Sequence, residues 1–187
     1  MPGHLARIQE ERFPFLQTAV FVAKRLSDAL CETVHVSQCI DDRLSVTHVE
    51  HPKRANRVHV EIGDHLPWHA TASGLAVLAA SPARVVDSLL TQPLAAFTKH
   101  TLTDHTRLRS AVQDARELGF SVNLQGLDEG VISFAAAIGE PEAMPIGAIS
   151  MAAPFERFDT ATTLELGEKV AASAKQISRV LFVTSTR

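Results

Sequence analysis

The spacing of hydrophobic positions changes along the chain, and each change predicts a different element. Leu16, Ala19, Ala23, Leu26 and Leu30 recur every three or four residues, the rhythm of one helix face. Phe13-Pro14 precedes them, and proline suits a first helical turn. An amphipathic helix is therefore expected to open there and run to about Ala29. Residues Thr33 to Ile40 and Leu44 to Val49 switch to strand character around the turn pair Asp41-Asp42, which reads as a hairpin. Val58 to Ile62 is expected as a third strand, ended by Gly63-Asp64.

A helix is then expected from about Ala72. A short one follows from Ser81-Pro82 to about Leu90. A longer one is capped by Thr103 or Asp104, striped by Leu108, Val112, Ala115 and Leu118, and stopped by Gly119. Three more strands follow: Phe120 to Leu124, Val131 to Ile138 and Ile146 to Ala152. A last helix, capped by Asp159, carries Leu166, Val170, Ala174, Ile177 and Leu181 on one face. This order predicts an α+β fold, one antiparallel sheet of about six strands with flanking helices.

Two of the strands divide into unequal faces. Side chains alternate with period two. Ile132, Phe134, Ala136 and Ile138 fall on one side of their strand, and Val131, Ser133, Ala135 and Ala137 on the other. Gly147, Ile149 and Met151 oppose Ile146, Ala148, Ser150 and Ala152 in the next. One face is core. The small face calls either for a closely packed helix or for a hollow that takes a ligand. The stretch LPWHATASGLAVLAA favours the hollow. Its helix starts on Ala72-Ser73-Gly74, so its first amides are not screened by bulky side chains. Such amides and the helix dipole favour an anion.

Composition narrows the functional classes. The 187 residues are 45% hydrophobic and 21% charged, with a net charge of −3. That balance fits a globular domain and argues against a basic nucleic-acid-binding module. Lys53, Arg54 and Arg57 form the densest basic patch and read as a solvated loop. No apolar run or signal-peptide pattern points to a membrane. Two cysteines, Cys31 and Cys39, read as reduced thiols in a cytoplasmic protein. There is no P-loop, dinucleotide fingerprint, HExxH or GxSxG, so neither a cofactor nor a catalytic residue is expected. His65 and His69 lack an obvious third metal ligand, and His69 reads as a structural histidine bonded to backbone.

The runs GDHLPWHATASGLAVLAASP, LTDHTRLRSAVQDARELGFSVN and GVISFAAAIGE…PIGAISMAAPFERF, in that order, resemble the effector-binding domain of IclR-type transcriptional regulators. The resemblance spans about Phe13 to Leu181. It implies a GAF-like fold with a small-molecule pocket on the concave side of its sheet. It also implies a homodimer or homotetramer that binds operator DNA through a winged helix-turn-helix domain absent from this chain. On this reading residues 1–12 are a tail or the remnant of an interdomain helix, and 13–187 the effector-binding domain. A stand-alone GAF-like sensor, or a small enzyme using the same pocket, is the alternative.

Carried across by position, the resemblance places effector contacts at the backbone of Ala72 and Ser73 and at Asn123, Ser133, Ser150 and Ala152. Apolar walls fall near Val58, Leu66 and Trp68. The serines could equally be satisfied by nearby backbone, and Trp68 could be core. Leu75 stands where the family usually has lysine, Gln125-Gly126 replaces an acidic pair, and Asn123 and Ala152 lack the usual carboxylate and hydroxyl. These departures imply a less acidic pocket with one fewer hydrogen bond. They point to a small organic acid larger or less polar than a two- or three-carbon one, with Trp68 offering a surface for an aromatic effector.

Overall fold

The computed structural model describes residues 3–40, 43–141 and 143–183. Five antiparallel strands form one sheet in the order β2-β1-β5-β4-β3. They are β1 (Thr33–Ile40), β2 (Arg43–Glu50), β3 (Ser121–Leu124), β4 (Val131–Ile138) and β5 (Gly147–Pro154). Helices α1 (Gly3–Leu30) and α5 (Thr163–Val183) cover one face. On the other side α2 (Ala72–Ala80) lies on β3, β4 and β5 and is backed by α4 (His105–Leu118), with α3 (Ala83–Leu89) between them in sequence.

The bulky faces make the main core, as the alternation requires. Val34, Val36, Ile132, Phe134, Ile149 and Met151 are fully buried against Phe15, Ala19, Ala23, Val170 and Ile177 of α1 and α5. A second cluster joins Leu75 and Leu78 of α2 to Leu108 and Val112 of α4. Asp104 is the N-cap of α4, its side chain accepting from the Arg107 N–H at 2.8 Å. Gly119 ends the helix in the left-handed conformation at φ 77°, as glycine allows.

Three expectations are corrected. First, α1 does not open at Phe13-Pro14 but begins at Gly3 and runs through the proline. An interior proline costs one hydrogen bond and a clash with the carbonyl four residues back, about 3 kcal/mol, yet the helix continues into HLARIQEERF before it, which is rich in strong helix formers. Second, Val58 to Ile62 is not a strand, so the sheet has five strands rather than about six. Backbone bonds to the edge strand come from the residues that follow Ile62: Gly63 N–H to Val46 O at 2.8 Å, Val46 N–H to Asp64 O at 2.9 Å and Leu66 N–H to Leu44 O at 2.8 Å. Asp64 closes a turn on the Glu61 N–H at 2.9 Å. The segment before that turn swings off the edge and crosses the small face, held by Thr33 Oγ1 donating to Val58 O at 2.7 Å. Third, Asp159 caps a 3-10 turn, Thr160–Thr162, that leads into α5. The Asp41-Asp42 turn lies outside the described residues.

A charged clamp fixes the chain beside that crossing. The buried Glu32 carboxylate takes two bonds from the Arg157 guanidinium, 3.0 Å from Nε and 2.8 Å from an Nη, and a third from Arg54 at 3.3 Å. Arg157 also donates to Asn56 O at 3.0 Å. Arg157→Met leaves Glu32 with a single partner. It should lower unfolding free energy in urea by roughly 2 kcal/mol, the scale of charge-assisted bonds lost at a buried acceptor.

Candidate functional site

The small face is used in two ways along its length. Cross-strand register lines up Ser121, Ala135, Ser150 and His35 in one row, and Asn123, Ser133, Ala152 and Thr33 in the next. At the first end, α2 packs hard on the sheet. Ala72 and Ala76 bury Ala135, and Ser121 Oγ donates to Ala72 O at 2.6 Å. Past the start of α2 the helix no longer covers the sheet. A cavity of about 170 Å³ opens between Ser133, Ser150, Ala152 and His35 below and the crossing segment 58–66 above. Close packing and a hollow therefore coexist on one face.

Eight of the nine expected site residues line this cavity: Val58, Leu66, Ala72, Ser73, Asn123, Ser133, Ser150 and Ala152. Trp68 does not. Its side chain packs instead between the cluster of Leu75 and Leu78 and that of Leu44, Val46 and Leu66. The wall expected of Trp68 is corrected to core packing, because the turn after Pro67 carries the ring behind α2.

Hydrogen bonding decides what each group can offer. Thr71 is the N-cap of α2. Its Oγ1 accepts from the Gly74 N–H at 3.0 Å and donates to Pro67 O at 2.9 Å, a common use of threonine. The N–H groups of Ala72 and Ser73 have no hydrogen-bond partner among the described residues. The Asn123 carbonyl oxygen accepts from the Gly126 N–H at 2.9 Å. That contact orients the amide, so its NH2 is the end left to donate. A Cβ on Gly126 would stand 2.6 Å from that nitrogen, so glycine is what lets the loop close over Asn123. Ser133 Oγ has no partner among the described residues. Ser150 Oγ donates to Phe134 O at 2.9 Å, so its hydroxyl is left as an acceptor. The backbone reading holds for Ser150 and not for Ser133.

His35 was not among the expected residues. It lies in the cavity floor beside Ser150, 6% exposed. Its Nε2 is 3.4 Å from Ser73 Oγ, and its Nδ1 is buried with no partner. Burial pushes its pKa down from 6.5 to about 4, partly opposed by the negative charge of Asp64. The ring is neutral at pH 7. A signal for it was present in the chain, since Thr33, His35 and Ser37 alternate with Val34 and Val36. The cavity lining also includes Asp64, His59, His65 and Asp128, and no lysine or arginine. His65 Nδ1 is 2.8 Å from Ser45 Oγ. His69 is bonded to Ala95 O at 2.8 Å, the structural role expected of it. Among the described residues no cluster is placed to hold a metal ion, and no helix is long and apolar enough to cross a membrane.

An antiparallel sheet whose donor-lined cavity is roofed by a helix start and an irregular strap is the arrangement of a GAF-like domain. Residues 11–179 match the family described as "Bacterial transcriptional regulator IclR C-terminal", and the chain belongs to that family. The HTH-type transcriptional repressor AllR of Klebsiella pneumoniae is 28% identical over 151 residues, 80% of this chain and 56% of its own length. AllR of Escherichia coli K12 is 32% identical over 126 residues, 67% of this chain and 46% of its own. The chain spans about half the length of the curated relatives it matches. A solved structure from Silicibacter sp. TM1040 superposes with a TM-score of 0.88 at 30% identity, covering 95% of this chain and 70% of that one. An IclR homologue of Microbacterium hydrocarbonoxydans, solved in complex with 4-hydroxybenzoate, shares the fold with a TM-score of 0.78 at 22% identity, covering 90% and 68%. Both AllR relatives are named as transcriptional repressors.

Proposed function

We propose that the chain is the effector sensor of an IclR-type transcriptional regulator and that its cavity takes a small organic acid. The observation that carries this reading is the convergence of unpaired donors on one cavity: the Ala72 and Ser73 amides, the Asn123 NH2 and the Ser133 hydroxyl. Donors without acceptors, at the positive end of a helix, suit a carboxylate. Val58, Val60 and Leu66 supply an apolar wall. A cavity of about 150 Å³ admits a benzene ring, so 170 Å³ suits an acid of up to one ring. The 4-hydroxybenzoate bound by a relative of the same fold is of that size class.

Residues 13–187 act as the effector domain on this reading, and the first turns of α1 continue an interdomain helix towards a winged helix-turn-helix domain. The protein works in the cytoplasm as a homodimer or homotetramer. The acid binds one arrangement of the assembly more tightly than another and so shifts the spacing of the DNA-binding domains. A coupling of roughly 1–3 kcal/mol corresponds to a change of about 5- to 150-fold in operator affinity.

A thermal-shift panel of acetate, succinate, benzoate and 4-hydroxybenzoate tests the cavity. At an acid concentration of about 100 Kd the native state gains about 2.7 kcal/mol. Ser133→Leu, which pushes an isobutyl group into the cavity from a half-buried site, should melt near the wild type and lose that gain. Equal stabilisation of both proteins, or of neither by any acid, counts against the assignment.

A further inference from the structure

We propose that His35 is the proton-accepting partner of an anionic effector: a carboxylate binds beside its imidazole, and the ring takes up one proton from solvent as it binds. The proposal rests on the reading of the cavity as an acid site and adds to it the group that balances the acid's charge.

Charge is the first reason. Asp64 from the crossing segment and Asp128 from the β3–β4 loop both line the cavity, and no lysine or arginine does. A carboxylate entering there adds a third negative charge to a site without a fixed cation. The groups able to become cationic are His59, His65 and His35. His59 is exposed and already pairs with Glu61 at 3.0 Å. His65 faces Ser45 at the sheet edge. His35 alone lies in the floor. The lining residues of α2, β4 and β5 carry no ionisable group, so around this ring the charges are those of Asp64, Asp128, His59 and His65.

Hydrogen bonding is the second reason. A buried imidazole with one orphaned nitrogen is rare, because an unsatisfied buried polar atom is costly. His35 Nδ1 is such an atom, and the only buried side-chain nitrogen or oxygen without a partner among the described residues. Once protonated, both ring nitrogens donate. Ser73 Oγ serves Nε2; Nδ1 is covered in the free site, so a carboxylate oxygen serves it once the ring turns that edge towards the cavity. The acid removes the cost of burying the charged ring, because it brings both the counter-charge and the missing acceptor.

Proton uptake is read directly by titration calorimetry with 4-hydroxybenzoate, or with the strongest-binding acid of the panel, in Pipes and in Bis-Tris buffer. Near pH 6 the buffer dependence of the heat should report about one proton taken up per acid bound, and affinity should fall towards about tenfold per pH unit from pH 5 to 6.5. His35→Asn and His35→Gln should each bind the acid more weakly and without uptake. In the wild type one additional histidine ring should move to the imidazolium pattern in nitrogen-15 spectra on saturation. Binding with no buffer dependence overturns the proposal and leaves the acid site standing. Uptake that persists in either folded variant, with no histidine change in the wild type, places the proton elsewhere and overturns it as well. Failure of every panel acid to bind the wild type sinks the acid reading itself.

Discussion

Gly74→Ala should destabilise this domain by about 3 kcal/mol, although alanine is the better helix former by about 0.5–1 kcal/mol. Gly74 lies in the first turn of α2. A Cβ built there would stand 2.5 Å from the Trp68 Cα and 2.6 Å from its carbonyl carbon, with the oxygen closer still. These are backbone atoms and have no rotamer to retreat into. The segment that carries them is pinned on both sides. Leu66 N–H bonds to Leu44 O at 2.8 Å, Thr71 Oγ1 bonds to Pro67 O at 2.9 Å, and the Trp68 side chain fills the gap between two apolar clusters. Relief requires moving α2 off the sheet. For a chain of this length the cost corresponds to a fall in Tm of about 10 °C. Thermal denaturation decides by sign: a raised or unchanged Tm refutes the contact.

The small residues at the start of α2 thus have two causes. Ala72 and Ser73 leave amides open to the cavity, whereas Gly74 is small because the Trp68 backbone crosses it. The sequence pattern suggests one cause for all three, since nothing local distinguishes a residue kept small for a ligand from one kept small for a neighbouring chain. The same limit explains Trp68. Its position beside Leu66 implies a shared wall, yet Leu66 reaches both the cavity and the core cluster, whereas Trp68 packs only into the core.

Period-two alternation is a reliable guide where strands pair on both sides. β4 and β5 have their faces as the count requires, and Ser133, Ser150 and Ala152 meet on one of them. It misleads at Val58 to Ile62, where Val58 and Val60 line the cavity but Ile62, of the same parity, is 67% exposed, and His59 of the other parity also lines the cavity. A histidine in a strand is ambiguous until the register sets it, as it sets His35 against Ser150. Parity along β1 puts it on the small face with Thr33 and Ser37. Pro14 shows the opposite limit, in which a local rule for helix starts is outweighed by the helix-forming residues before it.

Acidification should cost the unliganded protein about 3 kcal/mol through His35 alone. The ring's pKa is about 4 in the folded state against 6.5 for a free histidine, and each unit is about 1.36 kcal/mol. Because the folded value is depressed, the unfolded chain binds the proton first. The contribution is fully present above pH 6.5, shrinks as pH falls and is exhausted near pH 4. About 2 kcal/mol of it should disappear by pH 5, before most carboxylates titrate. Desolvation is the larger cause and Asp64 works against it, so Asp64→Asn should deepen the loss. His51 also has a lowered pKa and adds to the same trend, but it is mostly exposed. The measurement is therefore the difference between wild type and His35→Asn in urea unfolding from pH 7 to 5. The variant's curve should be flatter by about 2 kcal/mol over that interval; parallel curves would show that the ring titrates as though it were in water. A saturating acid that supplies the ring's missing acceptor should flatten the wild-type curve in the same way. That links the pH response of the bare domain to the chemistry of its effector through one side chain.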